Sequence, residues 1–560
     1  MKNLLIAEIL YKIADLLEIQ EVDFKPRAYR KAALNIEAMN EPIEDYYKQG
    51  KLKEIPGVGE GISKKIEEII KTGTCREYEK LKKQVPVDFE SLMKIEGLGP
   101  RKIKLLYQKL KIKSIQDLEE AIQEHKLSRL EGFGEKTELN LQQSLGFFRK
   151  SKGRFLLSEI LPIAEDIKDY LKKKSSRVEI AGSLRRFKET IGDVDILAIG
   201  EKELIDYFTK YKNAKKILAK GSNKSSVLLD NGLQVDLRLI PRKSFGAALQ
   251  YFTGNKEHNI HLRILAQKKG LKLSEYGLFK GNKVIAGRTE EEVYKKLGLH
   301  YIEPELREDS GEIEAAKNLP ILIQLNDIKG DLHTHTKYSD GNDTIEEMAK
   351  QAINLGYEYI AITDHYGSLK IANAMNSSRI KKQWKEIDTL NKKLPGFRIL
   401  KGAEINIRLD GSLDAENEIL KQLDIVVASI HSGLNNSPEK RILKAMDSHY
   451  VNIIGHPSGR LLNRRDTIKI SFEEIFEKSL HSKTFLEINS SPDRLDLDYQ
   501  NVKDAVKKKC LLSIDTDAHS TSNLEFMEFG VGVARKGWCG KKSIINASNL
   551  EKIKKILSRK

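Results

Sequence analysis

Nine side chains in the C-terminal part of this chain have the types and spacings of metal ligands. They are His333, His335 and Asp340 in DLHTHTKYSDG, His365 in ITDHYG, Glu404, His431, His456, and Asp517 and His519 in DTDAHS. Six of the chain's 12 histidines fall in this set, a concentration that scattered surface or core positions would not produce. His333 and His335 are two apart, as are Asp517 and His519. On a strand, that spacing puts both side chains on one face. Imidazole together with carboxylate suits Zn²⁺, Mn²⁺ or Fe²⁺, and several carboxylates predict more than one ion.

A second constellation is purely acidic. Residues 178–200 read VEIAGSLRRFKETIGDVDILAIG: an apolar run, Gly182-Ser183, the basic pair Arg185-Arg186, then Asp193 and Asp195 on a second strand-like run. Strand alternation puts the two acids on one face and Val194 on the other. Asp236 follows in another such run, GLQVDLRLI. Three carboxylates on neighbouring strands would hold two Mg²⁺ ions. One would activate a 3′-hydroxyl; the other would bind a triphosphate and stabilise the leaving pyrophosphate.

The elements that must position these groups are legible. Short apolar runs at 359–363, 425–430, 452–456, 485–489 and 511–515 alternate with helix-like stretches, and most carry a ligand at or just after their ends. Strands spaced by helices predict a parallel sheet with its chemistry at the strands' C-terminal ends. Near the N-terminus a glycine-rich turn between helical patterns occurs three times: IPGVGEG with Gly57 and Gly59, IEGLGPR with Gly97 and Gly99, and LEGFGEK with Gly132 and Gly134. Such turns let backbone amides approach a phosphate at a helix N-terminus. Lys64, Lys65, Arg101 and Lys102 add positive charge beside them. Contacts of this kind grip DNA without reading its sequence.

Length and composition set the frame. The 560 residues predict several domains, and the net charge of +16 suits a polyanionic partner. Cys75, Cys510 and Cys539 are far apart and fit no disulfide framework, as for reduced thiols of a cytosolic protein. The opening segment MKNLLIAEILYKIADLLEI is interrupted by Glu8, Lys12 and Asp15 at helical spacing, which predicts an amphipathic helix rather than a signal peptide.

Several resemblances follow from these motifs. Residues 328–560 resemble the PHP (polymerase and histidinol phosphatase) domain, a distorted parallel α/β barrel, and include all nine ligand positions of that family. The implied activity is metal-dependent phosphoester hydrolysis. The three turns resemble the helix-hairpin-helix motif, whose carbonyls often hold K⁺ or Na⁺. The GS…DxD pattern with a later Asp resembles the nucleotidyltransferase superfamily that includes polymerase beta. YFTGNKEHNIHLR (251–263) is similar to the thumb segment of family X DNA polymerases. That resemblance implies nucleotide contacts at Ser183, Arg186, Gly192, Tyr251, Phe252, Gly254 and Asn259, a further phosphate contact at Arg154, and a template contact at Arg263. FKPRAYRKAALNI (24–36) resembles the family's small lyase domain, with Lys65 at the Schiff-base position and Lys25, Lys31 and Lys64 near it. Gly61 stands where polymerase beta has a phosphate-binding lysine, so a DNA-backbone contact is the alternative role for Lys65.

The expected fold is multidomain. It comprises a helical helix-hairpin-helix N-terminal region, an α+β nucleotidyltransferase palm with thumb, and a C-terminal α/β distorted PHP barrel. The expected bounds are 1–88 for the small lyase-like domain, 89–150 for fingers with two further hairpins, 151–240 for the palm, 241–318 for the thumb, 319–330 for a linker and 331–560 for the PHP domain. The expected function is a family X DNA polymerase filling short gaps in DNA repair. Its PHP domain would be a 3′→5′ exonuclease, with 3′-phosphatase or abasic-site endonuclease action as further options. The rival reading is a PHP nuclease carried on an inactive, DNA-holding polymerase scaffold. Expected cofactors are Mg²⁺ or Mn²⁺ at the polymerase site and two or three Mn²⁺ or Zn²⁺ ions in the PHP domain. Expected partners are gapped or primed duplex DNA and deoxynucleoside triphosphates, with no membrane, for a monomer in a prokaryotic cytoplasm associated with the nucleoid.

Overall fold

The computed structural model describes residues 2–558 apart from positions 21, 23, 38–42, 73, 85, 86, 94, 96, 97, 131, 132, 136, 140, 143, 144, 146–153, 463–466 and 469. The chain divides into two compact units. One comprises Met1–Arg154, Gly200–Leu239 and Asn259–Ile285; the other comprises Phe155–Ile199, Ile240–His258 and Ala286–Lys560.

The first unit opens with helices. Lys2–Ile19, Lys25–Glu37 and Glu60–Thr72 enclose a core of Ile6, Leu10, Ile13, Ala32, Ala33, Ile36 and Ile66. In the last of these helices Ile62, Ile66, Ile69 and Ile70 are buried, the i, i+4, i+7, i+8 stripe of an amphipathic helix. A second core gathers Leu92, Ile103, Leu106, Leu118, Ile122 and Phe133 around helices Pro100–Leu110 and Ile115–Gln123. Ser114 and Asp117 form a capping box at the start of the latter. The same unit contains an antiparallel meander of strands Ala214–Lys220, Lys224–Leu229 and Gln234–Leu239.

In the second unit, strand Arg177–Ile180 pairs antiparallel with Asp193–Ile199. Ala181, Leu197, Phe245, Ala248 and Leu249 pack beside them as a small core. The C-terminal part is a parallel barrel. Strands Gly330–Thr334, Tyr359–Ile362, Arg398–Asn406, Ile425–Ser429, Ile453–Ile454, Phe485–Asn489 and Leu512–Asp515 neighbour one another in chain order, and His365–Tyr366 extends the sheet beside Arg398–Asn406. A parallel bridge from Thr334 to Ala518 and a hydrogen bond from Leu332 N to Asp515 Oδ1 at 3.0 Å bring the first strand to the last, so the barrel is nearly closed. Most of these strands are buried throughout, as parallel strands covered by helices must be. No described helix is long and apolar enough to cross a membrane.

Candidate functional site

All nine ligand candidates converge at the C-terminal end of the barrel. Ligand atoms of His335, Asp340, His365 and His519 lie within 4.8 Å of one another, as do those of His333, His335 and Asp517, and those of His365, Glu404 and His431. His456 joins through Nε2, 3.1 Å from Glu404 Oε1. The imidazoles crowd together: ring centroids are 4.3 Å apart for His335 and His519 and 4.6 Å for His335 and His365.

The two-residue spacing acts differently from the expectation of strand alternation. The strand ends at Thr334, before His335, and Asp517 adopts a left-handed φ of 54° beyond the last strand. The pairs face inward because the strand ends bend together, with His335 N donating to Ala518 O at 2.8 Å. A short polar side chain such as Asp tolerates that left-handed turn.

The donor chemistry fits metal ions. His333 Nε2, both ring nitrogens of His335, and His431 Nδ1 are buried without a hydrogen-bond partner. Buried polar atoms are otherwise almost always satisfied, and three of these four nitrogens lie 3.2–3.7 Å from carboxylate oxygens of Glu404, Asp340 and Asp517, a donor set suited to coordination. Burial alone would raise Glu404, but His431, His365 and His333 hold it well below the usual carboxylate range. Burial would likewise raise Asp517, which His333 and His335 hold low. Burial pushes His335 down to about 3 and His456 to about 4, which keeps both rings neutral and able to donate lone pairs.

The supporting layer includes residues that the ligand pattern did not single out. Glu487 accepts from His333 Nδ1 at 2.7 Å and from His456 N at 2.5 Å. It therefore fixes the His333 tautomer with Nε2 facing the centre. Asn489 donates to Asp517 Oδ2 at 3.2 Å, and Arg494 lies 3.9 Å from the same oxygen. Asp364 is fully buried and accepts from Thr336, Ser339 and Gln383, which ties down the loop bearing Asp340. Glu487 and Asn489 lie in FLEIN at period two, the one signal that could have found them.

The acidic constellation is built on short elements. Helix Gly182–Arg185 starts where strand Arg177–Ile180 ends. Gly182 has φ 63°, and a Cβ there would meet Asp195 Oδ2 at 2.8 Å, so only glycine lets the turn lie against that carboxylate. Along Asp193–Ile199, Asp193 is exposed, Val194 buried and Asp195 half-buried, in agreement with strand alternation. Gly192 is half-buried immediately before them. Ser183 is half-buried on the helix, and Arg154 is exposed. Asp236, on strand Gln234–Leu239, pairs with Lys224 at 2.8 Å and accepts from Gln234 at 2.9 Å. Burial would raise it; Lys224, Gln234 and Ser226 bring it below its ordinary value.

The YFTG segment ends helix Phe245–Thr253, with Gly254 as its C-cap. Tyr251 and Phe252 stack edge to face at 5.1 Å. Arg185 binds Thr253 Oγ1 at 2.6 Å and Glu290 at 2.6 and 2.9 Å, and Glu290 also holds the fully buried Arg307 at 2.6 Å. Arg186 donates from Nη1 to the Thr253 carbonyl and from Nε to Glu308 at 3.1 Å. Helix Lys256–Lys268 carries Asn259, which is buried, and Arg263, which is half-buried.

Of the hairpins, the first two begin helices at Glu60 and Pro100. Gly57 has φ 83° and packs on Lys31 and Ala32, whereas a Cβ at Gly59 or Gly99 would meet nothing within 4 Å. Gly97 and Gly132 lie outside the described residues. Lys64 pairs with Glu60 at 3.2 Å and Arg101 with Glu18 at 3.0 Å. Lys65 is bound to Glu77 at 2.7 Å and lies 5.7 Å from the Tyr29 ring centroid. Burial lowers its pKa but Glu77 and Tyr29 outweigh that and raise it, the opposite of what a Schiff-base nucleophile needs.

Comparisons with known proteins align with this geometry. Family models match a helix-hairpin-helix domain at residues 1–75, a SAM-like helix-hairpin-helix tandem at 89–146, a DNA polymerase beta thumb at 248–308 and a PHP domain at 331–491. Asp517 and His519 lie beyond that last match, on the barrel's final turn. The chain is 26% identical to DNA polymerase lambda of Rattus norvegicus over 55% of its own length and 56% of that protein. It is 28% identical to a probable phosphatase of Thermoanaerobacter sp. over 41% of its length and 94% of that protein. It is 38% identical to the DNA polymerase/3′-5′ exonuclease PolX of Bacillus subtilis over 99% of both chains. With an alignment that spans hairpins, thumb and barrel alike, the chain belongs to the family X DNA polymerases that carry a C-terminal PHP domain.

Proposed function

We propose that this protein fills short gaps during DNA repair and trims primer 3′ ends at a separate, metal-dependent site. The enzyme is a DNA polymerase and a 3′→5′ exonuclease, as its family membership implies. The polymerase residues are Asp193, Asp195 and Asp236, which would hold two Mg²⁺ or Mn²⁺ ions. Ser183, Arg186 and Arg154 would bind the triphosphate, with Gly192 beside them. Tyr251, Phe252, Gly254 and Asn259 would line the sugar and base, and Arg263 the template. The hairpins, through Gly57, Gly59, Gly97, Gly99, Lys64, Lys65 and Arg101, would grip the duplex backbone, aided by K⁺ or Na⁺. Such binding weakens steeply with salt because phosphate contacts release counterions.

In the barrel the nine ligands would hold two or three Mn²⁺ or Zn²⁺ ions, whose chemistry is to polarise the phosphodiester and activate water. The chain's own residues orient that chemistry: Glu487 sets the His333 tautomer, and Arg494 stands where it can meet a phosphate oxygen. The observation that carries this reading is the set of four buried imidazole nitrogens without a hydrogen-bond partner in one cluster at the strand ends. We place the enzyme in a prokaryotic cytoplasm, as a monomer on nucleoid DNA. Lyase action through Lys65 is disfavoured by its pairing with Glu77, and a backbone contact is the better role.

The test is a 5′-labelled primer on gapped DNA with Mn²⁺, with and without deoxynucleoside triphosphates. Extension with nucleotides and shortening without them is the expected result. Shortening in both lanes would favour a nuclease on an inactive polymerase scaffold; extension alone would reduce the barrel to a structural role.

A further inference from the structure

The segment 182–191, which carries Ser183 and Arg186, is seated on the PHP barrel. Phe187, in a left-handed conformation with φ 56°, packs on helix Met527–Lys536, where a Cβ on Gly532 would meet its ring at 2.0 Å. Glu189 receives a two-point ion pair from Arg460 at 2.6 and 3.1 Å, four residues beyond the ligand His456. Between these contacts lies a buried charge cage. Glu308 accepts from Arg186 at 3.1 Å, Lys188 at 2.8 Å and Lys536 at 2.5 Å. Lys536 comes from the last position of that barrel helix and is buried, and it also donates to the main-chain carbonyl of Arg186 at 3.2 Å.

We propose that Lys536, supplied by the nuclease domain, is a positioning residue of the polymerase reaction that holds Arg186 for the incoming triphosphate. The inference rests on the reading of Arg186 as a triphosphate contact. Arg186 is fixed through Nε and Nη1, on Glu308 and the Thr253 carbonyl, and Nη2 takes part in neither bond. A buried carboxylate facing a guanidinium favours two parallel hydrogen bonds. Lys536 and Lys188 prevent that capture by occupying the Glu308 oxygens. Three cations around one carboxylate also leave an excess of positive charge where a triphosphate would bind. Without Lys536, Glu308 would draw in Nη2, and the excess charge would fall. Burial lowers Lys536 to about 8, against the pull of Glu308, which still leaves it mainly protonated at neutral pH.

The test uses the full-length enzyme with Lys536→Met, Lys536→Gln, Arg186→Ala and the double variant Lys536→Met with Arg186→Ala. Single-nucleotide extension on gapped DNA gives KM and kcat, and primer shortening gives the nuclease rate. Lys536→Met is expected to raise KM for the triphosphate about tenfold, with kcat and nuclease rate held within about twofold. In the Arg186→Ala background the same change should have no further effect, because Lys536 acts through that arginine. Lys536→Gln keeps a donor for the Arg186 carbonyl without the charge; it should give a smaller rise and carries the test if the methionine variant does not fold. An unchanged KM, or an equal rise with and without Arg186, would overturn the proposal. If Arg186→Ala itself leaves KM unchanged, it is the assignment of Arg186 that fails.

Discussion

In the barrel, His335 is fully buried with neither ring nitrogen hydrogen-bonded, whereas Asp236 of the polymerase core is tied to Lys224 at 2.8 Å and to Gln234 at 2.9 Å. Both are metal-ligand candidates, and they are prepared differently. An unpartnered buried polar atom costs about 1–3 kcal/mol, and the barrel carries four such imidazole nitrogens. Such a cluster would suit ions that stay. Asp236 instead has a protein cation that a metal can displace, and Asp193 is exposed. Those carboxylates suit ions that arrive with the triphosphate and leave with pyrophosphate.

The contrast can be broken or sharpened by experiment. Replacing Asp193 and Asp195 with Asn should cut extension by a factor on the order of 10³ or more while the primer is still shortened at the normal rate; loss of both activities would mean that the two centres are not separable. Replacing His333 and His335 with Ala should do the reverse, and retained nuclease would remove the barrel from the reaction. Chelation followed by transfer into Mg²⁺ alone should restore extension at once but leave the nuclease inactive. It should also lower the melting temperature by on the order of 10 °C, as resident ions that bind the folded barrel would require. Equal recovery of both activities would erase the distinction. Glu487→Gln should weaken barrel metal affinity by roughly 10- to 100-fold, read by metal titration, without changing KM for nucleotide.

The smallest effect is expected in acid. Burial would raise Glu290, but Arg307 and Arg185 hold it at about 2 in the folded chain, below the unfolded carboxylate value of 4.5. Its contribution is complete above about 4.5 and is lost as pH falls towards 2. Urea unfolding between those limits should therefore show stability rising with pH, and Glu290→Gln should flatten that slope.

The ligand candidates were legible because metal coordination needs particular residue types at strand ends, and those types are scarce. The parallel strands were readable from apolar runs separated by helical stretches. Glu487 was not singled out, because one acid in an apolar strand stands apart from the ligand candidates; beyond its period-two spacing with Asn489, only its bond to His333 Nδ1 reveals its role. The state of Lys65 was equally hidden. It sits beside Lys64, with Glu67 and Glu68 close behind, yet its partner is Glu77, delivered by the next helix. Lys536 lies 350 positions from the arginine whose carbonyl it binds, a distance that no local pattern spans.

That separation has a consequence for the newly made chain. At about 5–20 residues per second, a ribosome needs roughly 20 to 70 s to travel from Arg186 to Lys536. Asp517 and His519 emerge in the same late interval. The seat of the turn that carries Arg186 and the last two ligand candidates of the barrel thus emerge almost together. A nascent chain caught midway would carry the three glycine-rich turns but neither the lysine that seats Arg186 nor the last two ligand candidates of the barrel.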